Sequence, residues 1–182
     1  MRLRVAALMV RALVAALLCS PIGACGNGDD DTDDEGSGLS GGCAIRAHVS
    51  GGIDLRFTGK SDAACAAQHS FDTGLEVTFI DTSGKGTLEL VIDDVAEGET
   101  GDAYPARVVV TGTAQTRWQS SGCVAAINEH RLERVEASAI GELRHYQVSG
   151  GGTCSEPLEA AAGGNPSTLD VFTFRAGFTW RD

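Results

Sequence analysis

The chain has 182 residues, of which 25 are acidic and 14 are basic, and its formal net charge is −11. This length is that of one ordinary domain. The lysines and arginines form no cluster along the sequence. Neutralising phosphates requires clustered basic side chains, so this balance argues against a protein that binds nucleic acid or an anionic membrane through a basic surface.

Residues 1–24 have the three parts of a secretory signal, namely arginines near the start, an apolar stretch and small residues at the end. The apolar run 12–19 has only eight residues, whereas a membrane-spanning helix needs about 20. A membrane-anchoring helix is the alternative, and Arg11 in the middle of its apolar residues argues against it. The start is open between Met1 and Met9, because a signal that begins at Met9 has a more usual order of residues.

The most specific motif in the chain is Ile22-Gly23-Ala24-Cys25. It resembles the bacterial lipobox, in which a branched apolar residue and two small residues precede the cysteine that receives a lipid. The resemblance implies diacylglyceryl transfer to the thiol of Cys25, cleavage after Ala24 and attachment to a membrane. Two acyl chains hold a protein stably on a bilayer, so no transmembrane helix is needed. Ordinary signal cleavage that leaves Cys25 as a free thiol is the alternative.

Residues 25–42 have the composition of a tether, with six acidic residues, no basic residue and, after the cysteine, a single apolar side chain. Such a segment cannot form a core, and its root-mean-square span is about 24 Å. Asp31, Asp33 and Glu35 match the first positions of a calcium-binding loop, but Gly42 stands where that loop needs a bidentate glutamate. We predict a solvated spacer without a metal site. An outward-sorting signal is a further open alternative.

Residues 43–182 contain short segments in which apolar and polar residues alternate, as at 53–57 and 88–92. This period of two is typical of half-buried strands. Later candidate strands include 123–128, 131–137, 143–149 and 168–180. Gly-rich segments predict turns at 51–52, 83–86 and 149–152. We therefore predict an all-β domain, built as an antiparallel β-sandwich or barrel of about nine short strands.

A group of four aromatic residues and one separate tryptophan stand out in this domain. Phe172, Phe174, Phe178 and Trp180 share one parity of the last segment, and we interpret them as the buried face of a closing strand. An aromatic platform for a lipid or a sugar is the alternative. Trp118 lies in the polar stretch TRWQSSG and is the candidate for an exposed contact with a partner.

The domain holds four cysteines, Cys43, Cys65, Cys123 and Cys154, at spacings of 22, 58 and 31 residues. In an exported chain an even number of cysteines predicts disulfides. We predict that neighbours pair, Cys43 with Cys65 and Cys123 with Cys154. A zinc site would show close pairs such as C-x2-C, so we predict no metal and no cofactor.

The sequence offers few residues for catalysis. It contains no nucleophile elbow, zinc-protease helix, P-loop or dinucleotide fingerprint. The histidines lie at no metal-pair spacing and beside no carboxylate in a recognisable motif; they are His48, His69, His130 and His145. The stretch 97–102 (EGETGD) has the composition of a solvated acidic loop, with paired catalytic carboxylates as the alternative. We predict no catalytic residue.

The succession of lipobox, low-complexity tether and β domain with internal disulfides resembles small β-rich cell-envelope lipoproteins. Within the domain the likeness lies in His145–Gly150 (HYQVSG), and it implies this architecture without any functional residue. We expect a non-enzymatic lipoprotein anchored in the bacterial cell envelope, on the periplasmic face of the outer membrane or at the cell surface. Its domain would bind a protein, a glycan or a small ligand, or have a structural role. A small secreted hydrolase or hydrolase inhibitor on a β-sandwich scaffold is the alternative.

Overall fold

A computed structural model of the protein describes residues 42–139 and 141–181. The signal segment, Cys25 and the tether up to residue 41 lie outside the described residues. The described chain contains one short 3-10 helix, Asp62–Ala64, and eleven strands. The strands are β1 (Ala44–Gly51), β2 (Leu55–Phe57), β3 (Cys65–Phe71), β4 (Gly74–Ile80), β5 (Gly86–Asp93), β6 (Gly101–Gly112), β7 (Arg117–Ser138), β8 (Gly141–Cys154), β9 (Glu159–Ala160), β10 (Ser167–Leu169) and β11 (Phe172–Arg181).

All of these strands pair antiparallel in one sheet, whose main order is β10-β1-β11-β8-β7-β6-β5-β4-β3. The sheet curls into a half-barrel, and β3, at the end of the order, lies against β11. The hydroxyl of Ser70 on β3 donates a hydrogen bond to the carbonyl oxygen of Thr179 on β11, at 2.6 Å. The predicted all-β antiparallel fold is confirmed.

The core fills the inner face of the curled sheet. Alternate residues of β4 point inward, so that Leu75, Val77 and Phe79 are buried while Glu76, Thr78 and Ile80 are partly exposed. The aromatic residues predicted for the closing strand are all buried on β11, which confirms that interpretation; they are Phe172, Phe174, Phe178 and Trp180. A large aromatic side chain buries roughly 150–250 Å2, so these four residues contribute strongly to the core.

Both predicted disulfides are present, Cys43–Cys65 and Cys123–Cys154. Cys123 and Cys154 are directly opposite each other on β7 and β8. Cys43 precedes β1, near one end of the strand order, and Cys65 begins β3 at the other end, so their bridge joins these two parts of the curled sheet.

Two of the predicted strand boundaries differ from those in the structure. The segments 123–128 and 131–137 belong to one long strand, β7, because β-bulges after Ile127 and after Leu132 shift its alternation without ending it. The segment 168–180 divides into β10 and β11, which pair with successive parts of β1, Val49–Gly51 and Ala44–Arg46.

The turn predicted at 149–152 is wrong, because these residues form the interior of β8. Gly150 lies opposite Phe174, and Gly152 lies opposite Phe172. The turn predicted at 83–86 is confirmed: Gly84 has a φ of +67°, and the Asp81 carboxylate accepts hydrogen bonds from the turn. Gly-rich sequence therefore marks a chain reversal in one place and close packing of aromatic rings on a strand in the other.

Candidate functional site

The polar and aromatic groups of the domain converge where the β5–β6 loop (residues 94–100) meets the inner face of the sheet. Val95 in this loop is fully buried in the core. The loop is closed by its own hydrogen bonds, since the Ala96 amide donates to the Glu99 carboxylate at 3.0 Å and the Glu99 amide donates to the Ala96 carbonyl at 3.1 Å.

Three aromatic rings lie beneath this loop, contributed by three adjacent strands. His130 on β7 is 4.9 Å from both Tyr146 on β8 and Trp180 on β11, measured between ring centroids. Tyr146 and Trp180 are 5.2 Å apart in an edge-to-face arrangement, a geometry that the charge distribution of aromatic rings favours. We call His130, Tyr146 and Trp180 the aromatic cluster.

Both ring nitrogens of His130 are bonded to the β5–β6 loop. The Gly98 amide donates to Nε2 at 3.3 Å, and Nδ1 lies 2.9 Å from the Glu99 carbonyl oxygen. An amide must donate and a carbonyl must accept, so these partners require the neutral tautomer that carries its proton on Nδ1. Burial lowers the pKa of His130, opposed by the hydrogen bond to the Glu99 carbonyl and by the charges of Glu97 and Glu99.

A bidentate ion pair joins the same loop to β8. Arg144 Nε is 2.5 Å from Glu97 Oε1, and its Nη2 is 2.8 Å from Glu97 Oε2. Burial raises the pKa of the neighbouring Tyr146, and a hydrogen bond to Glu97 and its charge raise it further. The solvated acidic loop predicted for 97–102 is therefore wrong at Glu97, whose carboxylate is half-buried against Arg144.

This arrangement determines the chemistry that the groups can perform. His130 uses both nitrogens on main-chain partners, and Glu97 uses both oxygens on Arg144. A general base needs a lone pair directed at a substrate proton, and the Gly98 amide occupies the ring-nitrogen lone pair of the neutral His130. The aromatic cluster and the ion pair fix the β5–β6 loop on the sheet.

The other histidines lie elsewhere on the domain. His48 lies between Asp54 and Asp170, with each ring nitrogen 3.2 Å from a carboxylate oxygen. His145 Nδ1 is 2.9 Å from Thr179 Oγ1, and His69 is exposed. Asp54 is six residues from His48 and Asp170 is 122 residues away, so the pair of carboxylates forms no local motif. Within residues 42–139 and 141–181, no group of three or more His, Cys, Asp or Glu side chains is arranged to hold a metal ion.

Trp118 is not the exposed side chain that the sequence predicted. It is only 7% exposed, and its indole nitrogen donates a hydrogen bond to the Asn165 carbonyl oxygen at 3.1 Å. The polar stretch around it lies on β7, where β9 pairs with Trp118 and the following loop covers its ring. The expectation of an exposed contact is wrong, because the indole is part of the hydrophobic core and its nitrogen is bonded to Asn165, 47 residues away.

Surface depressions are further candidate sites, and two of them lie among the described residues. One, of about 380 Å3, opens where β3 meets β11 and is lined by Ser70, Phe71, Asp72, Leu143, Thr179, Trp180 and Arg181. The other, of about 350 Å3, lies on the outer face of β6 and β7 beside the loop that contains Glu156 and Pro157. Polar and charged side chains dominate both linings, whereas small-molecule pockets are mainly apolar.

The fold and the site together define an all-β domain, a half-barrel with two disulfides and with a polar loop fixed over an aromatic cluster. Comparison of the chain with protein-family models, with curated proteins and with solved structures found no match. In the described residues, no helix has the length and apolar character that crossing a membrane requires.

Protonation of His130 is expected to weaken the fold. The pKa of His130 is lowered in the folded protein, so between that value and the unfolded value of about 6.5 the unfolded chain binds more protons. The contribution of the neutral His130 to stability is therefore fully present well above pH 6.5. It is lost as the pH falls from about 6.5 to the lowered pKa of the folded state. We expect His130→Gln to show a smaller loss of unfolding free energy between pH 7.5 and 5 than the wild type, measured by urea denaturation.

The matched control for this experiment is His69→Gln, which changes an exposed histidine. It should keep the pH dependence of the wild type. An unchanged pH dependence in His130→Gln would contradict the assignment.

Proposed function

We propose that this protein is a lipoprotein of the bacterial cell envelope, anchored through a lipid on Cys25, whose β domain binds a partner or has a structural role. The two disulfides are compatible with an exported protein, because such bonds persist in oxidising compartments. The lipobox-type motif ending at Cys25 supports the anchor, and the composition of residues 25–42 suits a tether that carries the domain away from the bilayer.

The observation that carries the non-catalytic part of the proposal is the bonding of the groups beneath the β5–β6 loop. The fold collects a histidine, a carboxylate and an arginine in one place, as many active sites do. Here His130 is bonded to the loop backbone and Glu97 is bonded to Arg144. The proposed ligand of the domain is a protein, a glycan or a small molecule, and the acidity of the chain disfavours nucleic acid.

The anchor is tested by expressing the wild type and Cys25→Ser in a bacterium fed with radiolabelled fatty acid. We expect the wild type to take up label and to sediment with membranes, and Cys25→Ser to do neither, because Cys25 is the thiol at the end of the lipobox-type motif. Cys19→Ser is the matched control, since bulky Leu18 precedes Cys19, and it should behave as the wild type. A wild-type protein that is unlabelled and soluble would refute the anchor.

A further inference from the structure

Among the described strands, the half of β7 that follows Ile127 pairs with β8 alone. β6 pairs with β7 only as far as Ile127, opposite Gly101. β7 then continues to Ser138 with β8 as its neighbour. The edge strand of a sheet presents main-chain donors and acceptors that can pair with a strand of another chain. The segment Arg131–Glu136 (RLERVE) lies on this edge.

The side chains of this segment are divided between two faces. Leu132 lies opposite Tyr146 and Val135 lies opposite Arg144, so both apolar residues share the inner face. They are 46% and 49% exposed. Exposed apolar residues on an edge strand favour association with another strand.

The charged residues of the segment share the outer face because the β-bulge between Leu132 and Arg134 resets the alternation. Arg131 Nη2 is 2.6 Å from Glu133 Oε1, and Arg134 Nη2 is 3.0 Å from Glu136 Oε2. The bulge thus puts two consecutive residues, Glu133 and Arg134, on the same face. In a regular strand, consecutive residues point to opposite faces.

This pattern is complementary to itself. When the segment is laid antiparallel against a second copy, Arg131 faces Glu136, Leu132 faces Val135 and Glu133 faces Arg134, and each pair lies on one face. Opposite charges and apolar side chains directly across two strands are each stabilising. A shift of one residue in either direction places Arg134 opposite Arg134, or Glu133 opposite Glu133, and like charges directly opposite are destabilising.

We propose that two copies of this protein associate edge to edge through Arg131–Glu136, with a twofold axis between Glu133 and Arg134. Such an interface uses the same surface on both copies. In a chain of net charge −11, two copies repel each other unless they meet at a neutral surface. This segment has two positive and two negative side chains. The proposal does not depend on the lipid anchor.

The test reverses the two central charges in separate full-length chains. Arg134→Glu puts Glu opposite Glu at both symmetry-related positions, and Glu133→Arg puts Arg opposite Arg. We expect each variant alone to dimerise about tenfold more weakly than the wild type. An equimolar mixture restores opposite charges at both positions, so it should recover dimer at the wild-type level. Sedimentation velocity of the purified chains in mild detergent measures the dimer fraction.

Recovery in the mixture also shows that both variants are folded. The matched control is Arg56→Glu, which makes the same change of net charge at an exposed residue of β2, and it should dimerise as the wild type. A monomeric wild type, a mixture that fails to recover dimer, or an equal loss in Arg56→Glu would each overturn the proposal.

Cysteine crosslinking tests the register independently. A chain with Leu132→Cys and a differently tagged chain with Val135→Cys should form a mixed disulfide under mild oxidation. Val124→Cys is the control partner, because Val124 is an exposed apolar residue of β7 outside the segment, and it should not crosslink to the Leu132→Cys chain. Preferential crosslinking of the Leu132→Cys chain to itself would refute the proposed axis.

Discussion

Replacing Gly150 by alanine is expected to destabilise the domain by about 3 kcal/mol, because the inner face of β8 has no room for a methyl group there. A Cβ at this position would collide with the carbonyl oxygen of Ala126 and would lie 3.1 Å from Phe174 Cε1. The first of these atoms is backbone, so β7 or β8 must move. Urea denaturation should show a lower midpoint with an unchanged slope.

Gly150→Ala is expected to lower the stability of the domain, whereas most unobstructed changes from glycine to alanine raise it. Where nothing obstructs the new methyl group, a change from glycine to alanine stabilises a protein by roughly 0.4 to 1 kcal/mol, because it restricts the unfolded chain. Gly164→Ala is the matched control, since its nearest neighbour is the Ala160 Cβ at 3.4 Å. We expect it to change stability by less than about 1 kcal/mol. If Gly150→Ala were as stable as Gly164→Ala, the close packing of Phe174 on β8 would be wrong.

Removing the Cys43–Cys65 bridge is expected to cost about 3 kcal/mol and to loosen the place where the half-barrel curls round. The bridge closes a 22-residue separation, for which chain-entropy models give a stabilisation of this size. It also joins the residue before β1 to the first residue of β3, and β3 is the last strand of the strand order. Cys43→Ala combined with Cys65→Ala should therefore raise amide hydrogen exchange in β3 more than in β7.

The second bridge supplies the control. Cys123 and Cys154 connect strands that are already paired along most of their length. Cys123→Ala combined with Cys154→Ala should cost a similar free energy of unfolding, since its separation is 31 residues. It should not increase hydrogen exchange selectively in β3. Equal exchange patterns in the two double variants would contradict the distinct role of Cys43–Cys65.

The amino-acid sequence predicted the features that depend on residues close together in the chain. Alternating apolar residues predicted the strands, because a strand exposes its two faces in turn. The export context and the even count of cysteines predicted disulfides, and the neighbours pair as expected. The Gly-rich segment 83–86 predicted a turn, and in the structure Gly84 has a positive φ, which glycine adopts readily. The lipid on Cys25 stays a prediction, because this residue lies outside the described part.

The wrong predictions for Trp118 and Glu97 have one cause, which is contact between residues that are distant in sequence. Trp118 has polar neighbours in the chain, but the loop that contains Asn165 covers its ring. Glu97 lies in an acidic stretch, but Arg144 reaches it from a strand 47 residues away. The local composition was hydrophilic in both cases, and burial depends on what packs over a residue rather than on its sequence neighbours.

The sequence by itself therefore determined the all-β class, the disulfide framework and the acidic character of this protein, because alternation, cysteine count and charge are local or additive properties. Only the tertiary structure decided that 149–152 is a strand, since glycine permits both a turn and the close approach of Phe172 and Phe174. It also decided that His130 is bonded beneath the β5–β6 loop and that β7 continues beyond β6 as an edge. These features depend on which strands become neighbours, and that choice is made by the packing of the whole sheet.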